Sequence, residues 1–242
     1  REASVISTAF SAGSITFCFV ILSQVNLAPY FGKYYLTVII SGIVAAIILP
    51  KIPPLSKKPN TYYTGEKKDA GENVPEGFTN AQWGTYLAVK KAEESGNVAN
   101  FVKNGTQTVL DMWMGVMPVI MAFGTIALIV AETTPIFQWL GVPFIPILKL
   151  LRIPYAVEAS QTMIVGFADM FLPSVIGASI PSEMTRFVIA AVSVTQLVYL
   201  SEVGAVILGS KIPVNFKDLF IIFLERTLIT LPIVALAAHI IF

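Results

Sequence analysis

The sequence predicts an all-α integral membrane protein, a polytopic helical bundle with re-entrant hairpins and discontinuous helices. Three observations carry that expectation. Of the 242 residues, 55% are hydrophobic and only 13% charged, with a net charge of +1; an ordinary soluble domain is about 25% charged. A soluble core of this size cannot hide so much apolar side chain from water. The charges are also uneven, since residues 51–104 carry 14 of the 31. Finally, the uncharged runs of the C-terminal half are short and broken by proline, as in hairpins and interrupted helices at membrane depth. The same composition excludes disorder, collagen and a disulfide scaffold. The single Cys18 permits no internal disulfide, and the near-neutral charge gives no reason to expect a nucleic-acid partner.

In chain order, Ala3 to Gly32 contains no charge, and Phe10 to Leu27 is long enough for a hydrocarbon core of about 30 Å. Pro29, Tyr30 and Gly32 predict a turn, and Tyr34 to Pro50 the return span, with Tyr34 and Tyr35 as interfacial anchors. Residues 1–50 thus form two transmembrane helices. Residues 51–108 read as a loop with one or two amphipathic helices on the membrane surface, or alternatively as a solvated helical hairpin. Thr79 and Gln82 have the spacing of a capping box that opens this helix, and Trp83, Leu87, Val98, Phe101 and Val102 share one side of it, with Gly96 a break point. Lys51, Lys57, Lys58 and Lys103 lie near the span ends, so the positive-inside rule puts residues 51–104 in the cytoplasm. Met112 to Ala131 is the third span, bracketed by Asp111 and Glu132. After it, prolines at 135, 143, 146, 154, 173, 181 and 213 interrupt the pattern. Segments 133–148, 159–168, 170–182 and 203–210 are too short or too broken for simple spans. Phe187 to Ser201 is longer, and Thr227 to Phe242 is the final span. Residues 109–242 are therefore one domain around a polar cavity. The chain opens on Arg1 rather than Met, so the expectation is that residues precede it.

A charge inside a membrane costs about 2.5–3.5 kcal/mol on insertion scales and is a functional candidate by default. Glu158 stands in Tyr155-Ala-Val-Glu-Ala-Ser-Gln-Thr162 and Glu202 in Thr195-Gln-Leu-Val-Tyr-Leu-Ser-Glu-Val-Gly204. Each combines a carboxylate with Ser and Gln within a few positions, namely Ser160 and Gln161, and Ser201 and Gln196. Such a set lines a polar pocket, accepts hydrogen bonds from a solute and binds or releases a cation or proton. A structural alternative pairs these carboxylates with Arg186 or Lys211. Asp169, four residues before Pro173, is a further coupling or structural charge. Glu183 follows Pro181-Ser182 at a helix start, where an acid complements the dipole, and Arg186 is one turn on and within pairing reach. Glu225-Arg226 reads as an interface pair at the start of the last span. The stretch Pro173 to Pro181 is small and flexible, suited to a hairpin tip. No enzyme is expected: the only histidine is His239, and the chain has no His/Cys cluster, HExxH, P-loop or GxSxG. No cofactor and no metal are expected either.

Long stretches of the chain resemble a known family. They are Arg1-Glu-Ala-Ser, Leu49-Pro-Lys-Ile-Pro-Pro-Leu-Ser56, Val157-Glu-Ala-Ser160, Phe167-Ala-Asp-Met-Phe-Leu-Pro173 and Tyr199-Leu-Ser-Glu-Val-Gly204. The third span onward resembles the nucleoside-recognition Gate domain, and the whole chain is similar to the later part of bacterial YjiH-type Gate membrane proteins. Gate domains are shared by concentrative nucleoside transporters, FeoB-type ferrous-iron permeases and spore-maturation membrane proteins. The resemblance implies a helical fold with hairpins and broken helices around a midplane site, in the bacterial inner membrane. The function expected is a permease for a small polar solute, nucleoside-like, working by alternating access with proton or cation coupling. Its partners would be that solute, the lipid bilayer, and further copies of the chain or a partner Gate-family protein. The alternative is a non-transporting membrane assembly module that acts with such a partner.

Overall fold

A computed structural model describes residues 15–58, 75, 78–94, 98–111, 113–114, 117–201, 203–209 and 212–242. The described residues are helical, with no strand among them. The chain divides into two units, the described residues of Arg1–Pro59 with Ile120–Phe242, and those of Asn60–Val119.

The larger unit begins with α1 (Ile15–Gln24) and α2 (Phe31–Ile48), joined by a turn through Asn26 and a 3-10 turn at Ala28–Tyr30. It continues through the apolar α5 (Met117–Thr133), most of which belongs here. Four short helices follow: α6 (Ile136–Gly141), α7 (Phe144–Leu150), α8 (Ala156–Val165) and α9 (Leu172–Gly177). Then come α10 (Glu183–Gln196), α11 (Val203–Gly209) and α12 (Phe216–Ile241). The prolines at 135, 143 and 154 fall between these short helices, where a missing N–H costs nothing. The centre of the unit is α10. It packs against α1, α2, α8, α9 and α12, and every residue from Phe187 to Tyr199 is buried. A helix that is covered all round belongs to a core. α2 also packs on α12, so residues 31–48 share one core with the C-terminal helices.

Two helical stretches, Ala28–Lys51 and Phe216–Ile241, are long and apolar enough to cross a membrane by length and composition. Their faces are sorted in an unusual way. On α2 the exposed stripe is Leu36, Ile40, Ile43 and Ile47, while Thr37 and Ser41 are buried. On α12 the exposed stripe includes Ile221, Leu228, Leu236 and Ile240, while Arg226, Thr227 and Thr230 are buried. Both faces are thus apolar, and the buried face also carries the polar Thr37, Ser41, Arg226, Thr227 and Thr230, whereas a surface helix in water exposes a polar face.

Two sequence expectations are corrected. The last helix begins at Phe216, not Thr227. Asn215 accepts from the Asp218 N–H (2.9 Å) and Asp218 reaches back to the Asn215 N–H (3.4 Å), a capping box that opens the helix eleven residues earlier. Glu225-Arg226 is therefore inside the helix and not at its start. Tyr34 is no interfacial anchor: it is fully buried, its ring edge-on to Phe187 at 5.8 Å, and its hydroxyl donates to Ala190 O (2.9 Å). A phenol placed in a core keeps a polar partner. The exit after α2 runs through Pro53 and Pro54, joined by a cis peptide bond, to Lys58, which pairs with Asp218 at the start of α12.

The smaller unit contains α3 (Asn80–Glu94) and α4 (Val98–Asp111). The capping box is present as expected. Thr79 N–H donates to Gln82 Oε1 (3.0 Å), and Gln82 N–H to Thr79 Oγ1 (3.3 Å). Phe78 stacks edge-on to Trp83 at 5.7 Å, a staple across the same helix end. Gly96 lies outside the described residues. Phe101, Val102 and Val109 of α4 are exposed.

Candidate functional site

A helix that stops inside a core leaves its last carbonyls and the next helix's first N–H groups without helical partners. In a buried setting each one must be met, because an orphaned polar group costs about 1–3 kcal/mol. Two such breaks lie side by side in the larger unit, one between α8 and α9 and one between α10 and α11. Their accounting is nearly complete.

At the first break, α8 ends at Val165. Ile164 O and Val165 O accept from the N–H groups of Phe167 and Ala168, each at 2.9 Å. Met163 O accepts from the side chain of Gln196 (2.7 Å). The free N–H groups that open α9 turn to Asp169, whose Oδ1 accepts from Phe171 (2.8 Å) and Leu172 (3.2 Å). A carboxylate there also complements the dipole of the helix it opens.

At the second break, α10 ends at Gln196 and Leu197 is held at φ 61°, a conformation rare for a branched side chain. Val194 O accepts from the Tyr199 hydroxyl (2.7 Å). Thr195 O accepts from Arg226 Nε (2.9 Å), and Arg226 is fully buried. A guanidinium at a helix C-terminus is the charge that end favours. Gln196 O accepts from the Val198 N–H (2.7 Å).

The breaks are stitched together. Leu200 N–H donates to Phe167 O (2.8 Å) and Ser201 N–H to Ala168 O (3.1 Å). Ser201 Oγ donates to Asp169 Oδ2 (2.9 Å). Gln196 Nε2 bridges Met163 O and Thr227 Oγ1 (3.0 Å) on α12, and Thr195 and Thr230 hydroxyls meet at 3.1 Å. The outcome is a polar core of Asp169, Thr195, Gln196, Ser201, Arg226, Thr227 and Thr230 inside an apolar unit.

Of the residues expected from sequence, the structure brings together Asp169, Gln196 and Ser201. Glu202 lies outside the described residues, next in sequence to Ser201, as does Lys211. Glu158 does not join the cluster. It is exposed in the first turn of α8, about 12 Å along the helix axis from Gly166 at roughly 1.5 Å per residue. Ser160 is buried and spends its hydroxyl on Val157 O (2.7 Å), and Gln161 is half-buried on the same helix. Glu183 and Arg186 lie at the opposite end of α10 and approach to 3.8 Å, where Ser182 caps the helix by accepting from Thr185 N–H (3.2 Å). Sequence reasoning gave Thr195 and Thr227 no role and placed the charged candidate Arg226 at a membrane boundary, whereas it is fully buried. The available signal was Asn215-x-x-Asp218, which starts the helix early enough to carry Arg226 inward.

The chain is 55% identical over 242 residues to an uncharacterized protein of Alkalihalophilus pseudofirmus. The match covers 100% of this chain and 52% of that protein, so the chain spans about half the length of the relative. No family model matches the chain, and no solved structure matches it.

Proposed function

We propose that the chain is the Gate-like part of a polytopic membrane permease for a small polar solute, nucleoside-like in chemistry, in a bacterial inner membrane with residues 51–104 on the cytoplasmic side. The observation that carries this reading is the pair of apposed helix breaks at the heart of an apolar unit. Irregular backbone within a membrane survives only inside protein or beside a water-filled cavity, and interrupted helices are where transporters bind solutes and coupling ions. The exposed apolar stripes of α2 and α12, with Arg226, Thr227 and Thr230 buried behind them, support a lipid surround. Asp169, Gln196 and Ser201, with Glu202, would contact the solute or a coupling proton or cation. Glu158, Ser160 and Gln161 stand apart from that set. Alternating access would move the two breaks relative to the outer helices.

The test is uptake by the full-length protein in proteoliposomes, against a panel of nucleosides and other small polar solutes. Saturable uptake that falls at least about tenfold in an Asp169→Asn, Glu202→Gln variant supports the reading. Uptake of none of the panel overturns it. One observation favours a second reading, a non-transporting assembly module: the break carbonyls are met from within the chain, so the core holds together without a ligand. Stable co-purification of a partner membrane protein, with no uptake, is the result that reading expects.

A further inference from the structure

Gln196 makes the tightest contact between the two breaks. Its amide orientation follows from its partners. Met163 O can only accept, and Thr227 Oγ1 gives its own proton to Phe223 O (2.8 Å), so the amide nitrogen must face both. Oε1 therefore points the other way, at Gly166. A Cβ built on Gly166 would lie 1.9 Å from that oxygen. Gly166 has an ordinary helical backbone, with φ −56° and ψ −21°, so conformational freedom is not what this position needs. It needs the absence of a side chain. Gln196 Oε1 is buried and has no hydrogen-bond partner among the described residues.

We propose that Gln196, seated in the notch of Gly166, is a latch that holds the two breaks closed together with the bonds from Leu200 and Ser201 to Phe167, Ala168 and Asp169, and that its release loosens the unwound stretch from Leu197 to Ser201. Two bonds from the amide nitrogen hold the latch shut. The stranded acceptor opposes them, because a buried oxygen without a donor loses its hydration and gains nothing. An arrangement in which Oε1 meets water or an N–H or O–H group relieves that cost, so the contact is poised between two states.

The test uses the full chain in lipid nanodiscs, with Cys18→Ala and a single reporter cysteine. Val198→Cys places it in the unwound stretch, and Val188→Cys in the middle of α10; both positions are fully buried. The readout is the rate of modification by a water-soluble maleimide, well below the unfolding temperature. Gly166→Ala ejects the amide and is expected to raise the rate at position 198 by about tenfold or more, leaving 188 unmodified, as a local opening does. Gln196→Ala releases the same latch without a clash, and serves where Gly166→Ala does not fold. The double variant is expected to match Gln196→Ala alone, since the amide that a methyl at 166 clashes with is then gone. An unchanged rate at 198, an equal rise at 188, or fully additive effects of the two substitutions overturns the latch. None of these readouts depends on transport, so the failure of one proposal leaves the other standing.

Discussion

The two helix breaks solve one problem with different resources. At the first, the orphaned N–H groups opening α9 are met two and three residues away, by Asp169. At the second, Thr195 O is met by Arg226, 31 residues on. The difference follows from reach. A short carboxylate folds back on the N–H groups just after it. Carbonyls at a helix C-terminus need donors, and only a long side chain from a neighbouring helix brings a charged one into a closed core. The N–H groups at the first break are thus met locally, while the carbonyls Met163 O and Thr195 O are met by Gln196 and Arg226 only because α8, α10 and α12 pack together. Electrostatics follows the same division, with the acid at a helix start and the guanidinium at a helix end, each matching its dipole.

That contrast is broken or sharpened by substitution. The largest effect is expected for Arg226→Met, which strands Thr195 O and removes a charge-assisted bond, at a cost of about 2–3 kcal/mol. Denaturant unfolding in mixed micelles measures it. Asp169→Ala follows, losing the cap of α9 and the bond from Ser201 for about 1–2 kcal/mol. Asp169→Asn keeps an oxygen acceptor for Phe171 and Leu172 and should cost less than Asp169→Ala in the same assay. If Asp169→Ala proved costlier than Arg226→Met, the distant cation would not be the stronger of the two closures. The smallest effect is expected for Tyr199→Phe, which loses the bond from its hydroxyl to Val194 O, about 1 kcal/mol for a neutral bond. A loss there as large as that of Arg226→Met would make the local phenol, and not the distant cation, the main closure of the second break.

Reading these features from sequence succeeded where chemistry is local. Thr79 and Gln82 are three residues apart and form the expected box. Ser182 caps α10 where a helix start was expected, and the proline-broken region yields short helices with interruptions between them. Reading failed where a residue's role depends on depth. Glu225-Arg226 looked like a membrane boundary because charge usually marks one, yet Arg226 is fully buried. Tyr34 looked like an interfacial ring and lies against Phe187 instead. Glu158 looked equivalent to Glu202 by its neighbours, but its place in the first turn of α8 carries it away from the break.

By itself the sequence determined the helical class, the scarcity of charge and the caps that open α3 and α10. Those properties depend on composition and on groups within one turn of each other. Tertiary structure alone decided which polar groups form the core. Gln196 reaches Gly166 and Met163, Ser201 reaches Asp169, and Arg226 reaches Thr195 only because α8, α10 and α12 pack at that depth and rotation. Periodicity along one helix carries no record of its register against another, so those contacts appear only once the helices are assembled.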